Sequence, residues 1–501
     1  MNTIETVTVA APAGTVIGRQ SGRVRRFLGI PYAEAPTGAR RSAAPVPRGR
    51  FTRPYDATRH GPTAQRVPLS ATTTVPEPSV PGDDVLNVGV VAPAADDERA
   101  PFPVLVWIHG GGFLAGSAAS PWYDGRAFAR DGVVCVTVGY RLGVDGFAPL
   151  DGVPTNLGLR DLLLAVEWVR GNIAAFGGDP ADVTVAGQSA GGAAVLALLS
   201  SPVADGCFRR AVSLSGGFFE ADAAQDFLVR LGQRLGVPPT RAGFTGCGVE
   251  ELQRGVLDLR GADTLVLGPV IGDDVLPVPV ADGLAVRGHD VPLLLGATGD
   301  EFDSPRDEAG RAAGTRLTDT LFRAACPRAA AARRDAVAGT WLYSFEWVSP
   351  ALGGAAHCID IPYFFDVLDA PGVTEAPVPW QATFAPSRRP ARPLAAPAES
   401  PSTSSTRACG RHAESTHRTP LLDGQTLPAA ALGPHPPAEL ATVMHADLVD
   451  FVRGRTPAWG RAGGRAGDPA REYGGPGTAP AAPAVDTTGV FDPVVRAGEA
   501  C

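Results

Sequence analysis

Val183-Thr184-Val185-Ala186-Gly187-Gln188-Ser189-Ala190-Gly191-Gly192 is the stretch on which the reading of the fold turns. Val183 to Ala186 is a short apolar run of strand type, and from near Gly192 the sequence continues as an apolar helix. Between them Ser189 sits among small neighbours in the pattern G-x-S-x-G. A strand that turns at once into a helix puts the corner residue in a strained backbone conformation, and only small flanking residues avoid clashes there. The corner hydroxyl then projects clear of the sheet. The helix behind it aims free N–H groups and the positive end of its dipole at the same place. In a chain with 61 glycines the pattern also arises as a plain turn, and the strand before it and helix after it are what weigh against that.

Outward from this corner the same alternation repeats. Short runs rich in Val, Ile and Leu lie at Val104 to Ile108, Val133 to Val138, Ala211 to Leu214, Val291 to Leu295 and Leu342 to Phe345. Separated by helical patterns, they are what a parallel sheet covered on both faces requires, so the fold class is α/β. Leu159 to Asn172 carries apolar residues at a 3.6-residue period, and so does Ala438 to Arg453, which opens after Pro436 and Pro437. Both are expected to pack on the sheet. From Ile4 to Pro31 apolar and polar residues alternate between glycine turns, which predicts a small antiparallel strand group.

A second motif, His109-Gly110-Gly111-Gly112-Phe113, directly follows the run Val104 to Ile108. Glycine runs are usually turns. After a strand and upstream of a G-x-S-x-G corner, however, this one fits an acyl-transfer site: it lets main-chain N–H groups approach an oxygen on which negative charge develops. Each such donor lowers the barrier by about 3 kcal/mol.

With these two motifs the chain resembles the type-B carboxylesterase family, which also contains the cholinesterases. The resemblance is carried further by Gly29-Ile30-Pro31-Tyr32-Ala33, Val106 to Phe113, Tyr140-Arg141-Leu142-Gly143, Asn156 to Asp161 and Phe176-Gly177-Gly178-Asp179-Pro180. It is dense from about residue 20 to 220, recurs at 265 to 365 and returns weakly at 430 to 460. It implies an α/β-hydrolase fold: a mostly parallel central sheet flanked by helices, with the N-terminal strand group attached. It also implies a serine hydrolase cleaving carboxylic esters through an acyl-enzyme. By resemblance the acid is Glu301 in Gly296 to Glu301, with Asp300 its rival, and the base is His357 in Gly354-Ala355-Ala356-His357. Ser189 is then the nucleophile, and the N–H groups of Gly111, Gly112 and Ala190 form the oxyanion hole. His60, His289, His412, His417, His435 and His445 read as solvated rather than catalytic. Two structural ion pairs are implied, Arg41 with Asp83 and Arg141 with Asp161. The family's early disulfide falls at Ala64 and Val85, so that bridge is expected to be missing.

Where the chain departs from the family, the lid is reduced: Asp303 to Arg316 is short and 220 to 264 abbreviated. Glu375 to Ala429 carries Ser402-Thr403-Ser404-Ser405-Thr406, many Pro and Arg and no hydrophobic period, which predicts a disordered insertion. Residues 1–374 and 430–470 are read as one catalytic domain, and 471–501 as a loosely ordered tail.

Composition narrows the partners. A net charge of -8 without clustered positive charge argues against nucleic acid and anionic membranes. No apolar run reaches the roughly 20 residues of a membrane span, and Met1 to Gly18 lacks the pattern of a signal peptide. Seven scattered cysteines without C-x-x-C spacing predict neither structural zinc nor a disulfide framework. The expectation is a cytoplasmic enzyme acting on a small-molecule ester, with no metal and no organic cofactor. The rival readings are a non-catalytic member of the family, which would have lost the nucleophile or the base, and the inactive product of a damaged gene.

Overall fold

Val104, Val106 and Ile108 point into one hydrophobic core, while Leu105 and Trp107 point into another. The same split separates Val134, Val136 and Val138 from Val133 and Cys135, and Leu293, Leu295 and Ala297 from Leu294. Successive side chains of a strand leave on opposite faces, so two cores sharing alternate residues mean a sheet buried on both sides. The computed structural model describes residues 4–69, 73–221, 224–260, 265–302, 314–374, 431–463, 468–475 and 485–486.

Among the described residues one sheet gathers β1 (Ile4–Ala11), β2 (Gly14–Ser21), β3 (Val24–Pro31), β4 (Tyr55–Asp56), β5 (Asn87–Pro93), β6 (Phe102–Ile108), β7 (Val134–Val138), β8 (Gly178–Gln188), β9 (Arg210–Leu214), β10 (Leu293–Thr298), β11 (Thr340–Phe345), β12 (Pro469–Tyr473) and β13 (Val485–Asp486). The strand order is β1-β2-β3-β5-β7-β6-β8-β9-β10-β11-β12-β13, with β4 paired to β2. Neighbours from β7 across to β12 run parallel. The N-terminal group is antiparallel and joins the parallel part through β5. β5 escapes a search for apolar runs because Gly89 and Pro93 punctuate Val88 to Ala92, yet each of its residues is buried.

Helices cover the two faces. α1 (Leu157–Asn172) and α2 (Ala190–Ser200) feed the first core, α1 through Leu159, Leu162, Val166 and Val169. α3 (Ala224–Leu235) and α4 (Val249–Arg260) join the same side. On the other face α5 (Ala438–Val452) inserts Leu440, Met444, Leu448 and Phe451; each such side chain stabilises by about 1.5–3 kcal/mol when fully buried.

Several expectations change. Arg141 and Asp161 do pair, buried, with Nε to Oδ2 at 2.8 Å and Nη2 to Oδ1 at 2.6 Å. Arg41, however, pairs with Asp145 at 2.9 Å and donates to the carbonyls of Cys247 and Thr245, while Asp83 is exposed. The C-terminal end of the short helix Arg241–Gly246, between α3 and α4, offers Arg41 two carbonyl acceptors, which together with Asp145 outcompete a solvated carboxylate. His445 is not solvated: it is 3% exposed, its Nδ1 faces the Phe364 carbonyl at 2.8 Å and its Nε2 faces Asp131 at 3.1 Å. An α5 position on the packed face explains that burial. The tail is not loose throughout, since β12 adds a parallel strand beside β11 and buries Tyr473, whose hydroxyl donates to Asp447 at 2.8 Å. The sheet therefore extends past residue 470.

Residues 375–429 lie outside the described residues. Their flanks meet: the N–H of Ala431 donates to the Gly372 carbonyl at 3.3 Å and that of Leu432 to Val373 at 3.0 Å. Cys135, Cys247, Cys326 and Cys358 are buried free thiols and Cys207 is half-buried and free. Cys135 packs as a small hydrophobe, its thiol pKa raised by burial.

Candidate active site

β6 and β8 are neighbours, with β7 on the far side of β6 and β9 on the far side of β8. The chain thus reverses its direction of travel across the sheet between them, and the crevice beyond the C-terminal ends of such a pair is where an open α/β sheet receives a ligand. Ile108 pairs with Gly187, so the loops that begin at His109 and at Ser189 leave the sheet side by side.

Ser189 holds φ 57° and ψ −123°, a strained conformation for a residue with a side chain. Its own N–H donates to the Leu214 carbonyl at 2.8 Å and its carbonyl accepts from Ala193 at 2.8 Å, which pins the corner at both ends. Gly191 is obligatory: a Cβ there would lie 2.1 Å from the Ile108 carbonyl oxygen. Across the crevice Gly111 and Gly112 take φ 112° and 60°. Among the described residues, the N–H groups of Gly111, Gly112 and Ala190 have no protein acceptor. His109 is 2% exposed and stacks on Tyr140 at 4.6 Å. Burial lowers its pKa to about 4, which keeps it neutral and structural.

The opposite wall is built from two loops. After β10, Thr298 donates its N–H to Glu301 Oε1 at 2.9 Å. The Asp300 N–H donates to the Ala355 carbonyl at 3.0 Å, and the Ala355 N–H returns to Asp300 Oδ2 at 2.7 Å. The His357 N–H donates to the Glu301 carbonyl at 2.8 Å. These bonds set Glu301 Oε2 against His357 Nδ1, while Asp300 ties the loops together. Of the two acidic neighbours it is therefore Glu301 that meets the ring. Burial disfavours a charged imidazole, but the Cys358 thiol and the Glu301 carboxylate beside the ring oppose it and raise the His357 pKa. Phe302 stacks on the ring at 4.7 Å and Phe322 tilts against it at 5.1 Å.

The structure brings Ser189, His357, Glu301 and the three N–H groups to one end of the sheet. Among the described residues no hydrogen bond joins Ser189 Oγ to His357. The ring's Nε2 instead faces Gln188 Nε2 at 3.2 Å. Sequence reasoning missed Gln188, the variable position of the corner motif, and Cys358, the residue after His357. Position in the motif was the only signal for either. Asp360 was also missed: it is fully buried, accepts from Tyr343 at 3.0 Å, and burial followed by the Glu301 charge pushes its pKa up to about 7.

A parallel sheet with a serine at a strained strand-to-helix corner over its switch point defines the α/β-hydrolase fold. The model of the carboxylesterase family matches residues 5–309, and the chain belongs to that family. Para-nitrobenzyl esterase of Bacillus subtilis (strain 168) is 34% identical over 417 residues, covering 72% of this chain and 83% of that protein. Human carboxylesterase 3 is 35% identical over 58% of this chain, which spans 54% of its length. A para-nitrobenzyl esterase described as thermophilic superposes with a TM-score of 0.65 at 32% identity, over 72% of this chain and 84% of that one. A Geobacillus stearothermophilus carboxylesterase gives a TM-score of 0.70 at 28% identity, over 93% and 95%. The chain is a carboxylic ester hydrolase.

Proposed function

We propose that the chain hydrolyses small-molecule carboxylic esters through an acyl-enzyme on Ser189. The observation that carries this reading is the Glu301–His357 pair facing the Ser189 corner across the switch point. Glu301 accepts the Nδ1 proton and thereby leaves the Nε2 lone pair for the proton of Ser189. As Oγ adds to the ester carbonyl, the oxyanion takes hydrogen bonds from Gly111, Gly112 and Ala190. His357 then gives its proton to the departing alcohol, and a water deprotonated by the same base releases the acid and frees Ser189. Phe302 and Phe322 supply an apolar wall beside the base.

Turnover of p-nitrophenyl acetate and butyrate, with peptide mapping of a fluorophosphonate adduct, tests the proposal. Adduct on Ser189 and loss of turnover in Ser189→Ala are expected; adduct on another residue overturns it. We further propose that residues 375–429 are dispensable for catalysis, because the flanks are already joined by hydrogen bonds. A chain lacking them should keep its esterase activity, and inactive but folded protein would refute this. No helix among the described residues is long and apolar enough to cross a membrane. The free thiols suit a reducing compartment, and on that ground we place the enzyme in the cytoplasm.

A further inference from the structure

We propose that the cavity at the N-terminal ends of β9, β10 and β11 is a second binding site, one that takes a small neutral alcohol with an apolar body. It measures about 380 Å³, within the roughly 300–1,000 Å³ of small-molecule sites. Phe208, Val291 and Val337 line it, and each stands two or three residues ahead of the first residue of its strand. Ser189 and Glu301 follow the opposite, C-terminal ends of β8 and β10. The length of β10, Leu293–Thr298, separates the two ends of the sheet by about 20 Å. Leu198 and Leu199 also line the cavity near the end of α2, so an occupant rests against the far end of the helix that starts behind Ser189.

The lining defines what fits. Leu198, Leu199, Phe208 and Val291 are buried and apolar. The backbone of 283–288 packs tightly on the end of α2: a Cβ on Gly288 would lie 2.5 Å from Leu199 Cδ1, and one on Gly283 would lie 2.7 Å from Ser200 Cβ. Val286 and Val337, 72% and 84% exposed, stand at the mouth. The charged groups there are already matched. Arg287 Nη1 pairs with Asp205 Oδ2 at 2.9 Å. Asp290 faces the buried Arg333, whose pKa is lowered to about 10 by burial while the Asp290 charge opposes that fall. A charged ligand would have to break one of these pairs, so the body that suits the cavity is apolar and uncharged.

A polar anchor comes from His289. Its ring lines the cavity, and its Nε2 faces the Leu284 carbonyl at 3.2 Å. A carbonyl only accepts, so Nε2 carries the ring proton and the neutral ring keeps a lone pair at Nδ1. Among the described residues no protein group faces that nitrogen. The ring therefore has an acceptor to offer an occupant. A hydroxyl donates to it, whereas a hydrocarbon, an ether or an ester has no proton to give. Ester hydrolysis consumes an ester and releases an alcohol, so this anchor selects product over substrate. That last step alone rests on the reading of the reaction as ester hydrolysis; the binding does not.

The test is a calorimetric titration of benzyl alcohol into enzyme whose Ser189 has been capped with a fluorophosphonate, which blocks the crevice. The comparison ligands are toluene, of similar shape without the hydroxyl, and the ions benzoate and benzylammonium. Benzyl alcohol should bind at one site about fivefold or more tightly than toluene, the worth of one hydrogen bond, and neither ion should bind more tightly than toluene. Ala204→Phe, which fills the cavity from the turn Pro202–Ala204, should abolish binding and leave esterase activity near native. His289→Leu should bind benzyl alcohol and toluene alike. Thermal midpoints check that each variant is folded. Absence of saturable binding to the native enzyme overturns the proposal, and so does tighter binding of either ion or native affinity in folded Ala204→Phe. Should Ala204→Phe fail to fold, an alcohol preference that survives in His289→Leu overturns it equally. Failure of the fluorophosphonate to label Ser189 would instead overturn the assignment of the nucleophile, and the same titrations on Ser189→Ala protein still report on the cavity through Ala204 and His289.

Discussion

The two walls of the crevice are built on different principles. On the Ser189 side, a strand, a corner and a helix that follow one another in sequence place the hydroxyl and the Ala190 N–H. Ile108 pairs with Gly187 and the Ser189 N–H is tied to Leu214. On the His357 side, no single element holds the pair. Glu301 and His357 stand 56 residues apart, and hydrogen bonds between two loops set them against each other. The first wall is rigid because its backbone has no room. The second is rigid because hydrogen bonds between its two loops hold it, and a wall of that kind can lose its chemistry while keeping its shape. Breaking each wall should therefore give a different signature.

The largest effect is expected from Glu301→Gln. The amide can still accept from Thr298, so the loop is kept, but an NH2 facing Nδ1 selects the wrong tautomer of His357. kcat should fall by about 10⁴-fold with little change in thermal midpoint. Steady-state kinetics beside a melting curve check both halves, and a loss under tenfold would remove Glu301 from the mechanism.

The counterpart on the other wall is Gly191→Ala. The added methyl meets the Ile108 carbonyl oxygen at 2.1 Å, and neither backbone can yield without disturbing the β6–β8 pairing. Stability should fall by about 3 kcal/mol or more, read from the denaturant midpoint, with activity lost in proportion to folded protein. Native-like stability would mean that the corner has slack the structure does not show.

Next in size is a pH effect beneath the second wall. Burial, then the Glu301 charge, pushes the Asp360 carboxyl up to about 7. The folded state therefore holds this proton more tightly than the unfolded chain. The associated stability is fully present below the unfolded pKa of about 3.9 and is lost as pH rises through about 7. Asp360→Asn cannot lose a proton, so its stability relative to the native chain should improve by on the order of 4 kcal/mol between about pH 4 and pH 7, then level off. A constant difference across that range would show that Asp360 is ionised throughout.

The same contrast explains what could be read from sequence. The Ser189 corner and the glycine loop were legible because strand, small residues and helix are contiguous, and steric rules act over a few bonds. The inner strands were legible as apolar runs for the same reason. Glu301 could be preferred to Asp300 only by resemblance, since adjacent carboxylates carry no local signal for which one faces a ring across a loop gap. β12, the inward turn of Arg41 and the burial of His445 escaped because each depends on partners 81 or more residues away in sequence. Gln188 escaped because its contacts, though next to the most legible residue in the chain, lie 169 and 170 residues off.

The smallest expected effect falls on the residue that competed with Glu301 for the acid role. Asp300 Oδ2 accepts the Ala355 N–H at 2.7 Å, while the Asp300 N–H donates to the Ala355 carbonyl, so the two residues clasp the acid loop to the base loop. Asp300→Asn retains a carbonyl oxygen for the Ala355 N–H but replaces a charge-assisted bond with a neutral one, which is about half as strong. Stability should drop by about 1 kcal/mol, and kcat should fall less than tenfold because Glu301 still faces Nδ1. Asp300→Ala deletes the acceptor altogether and leaves a buried N–H without a partner, so its stability loss should exceed that of Asp300→Asn. Denaturant midpoints for the pair, with kcat measured on the same preparations, separate clasp from catalyst. If Asp300→Asn loses activity as deeply as Glu301→Gln while staying folded, Asp300 shares the acid role and the second wall has two chemical members instead of one.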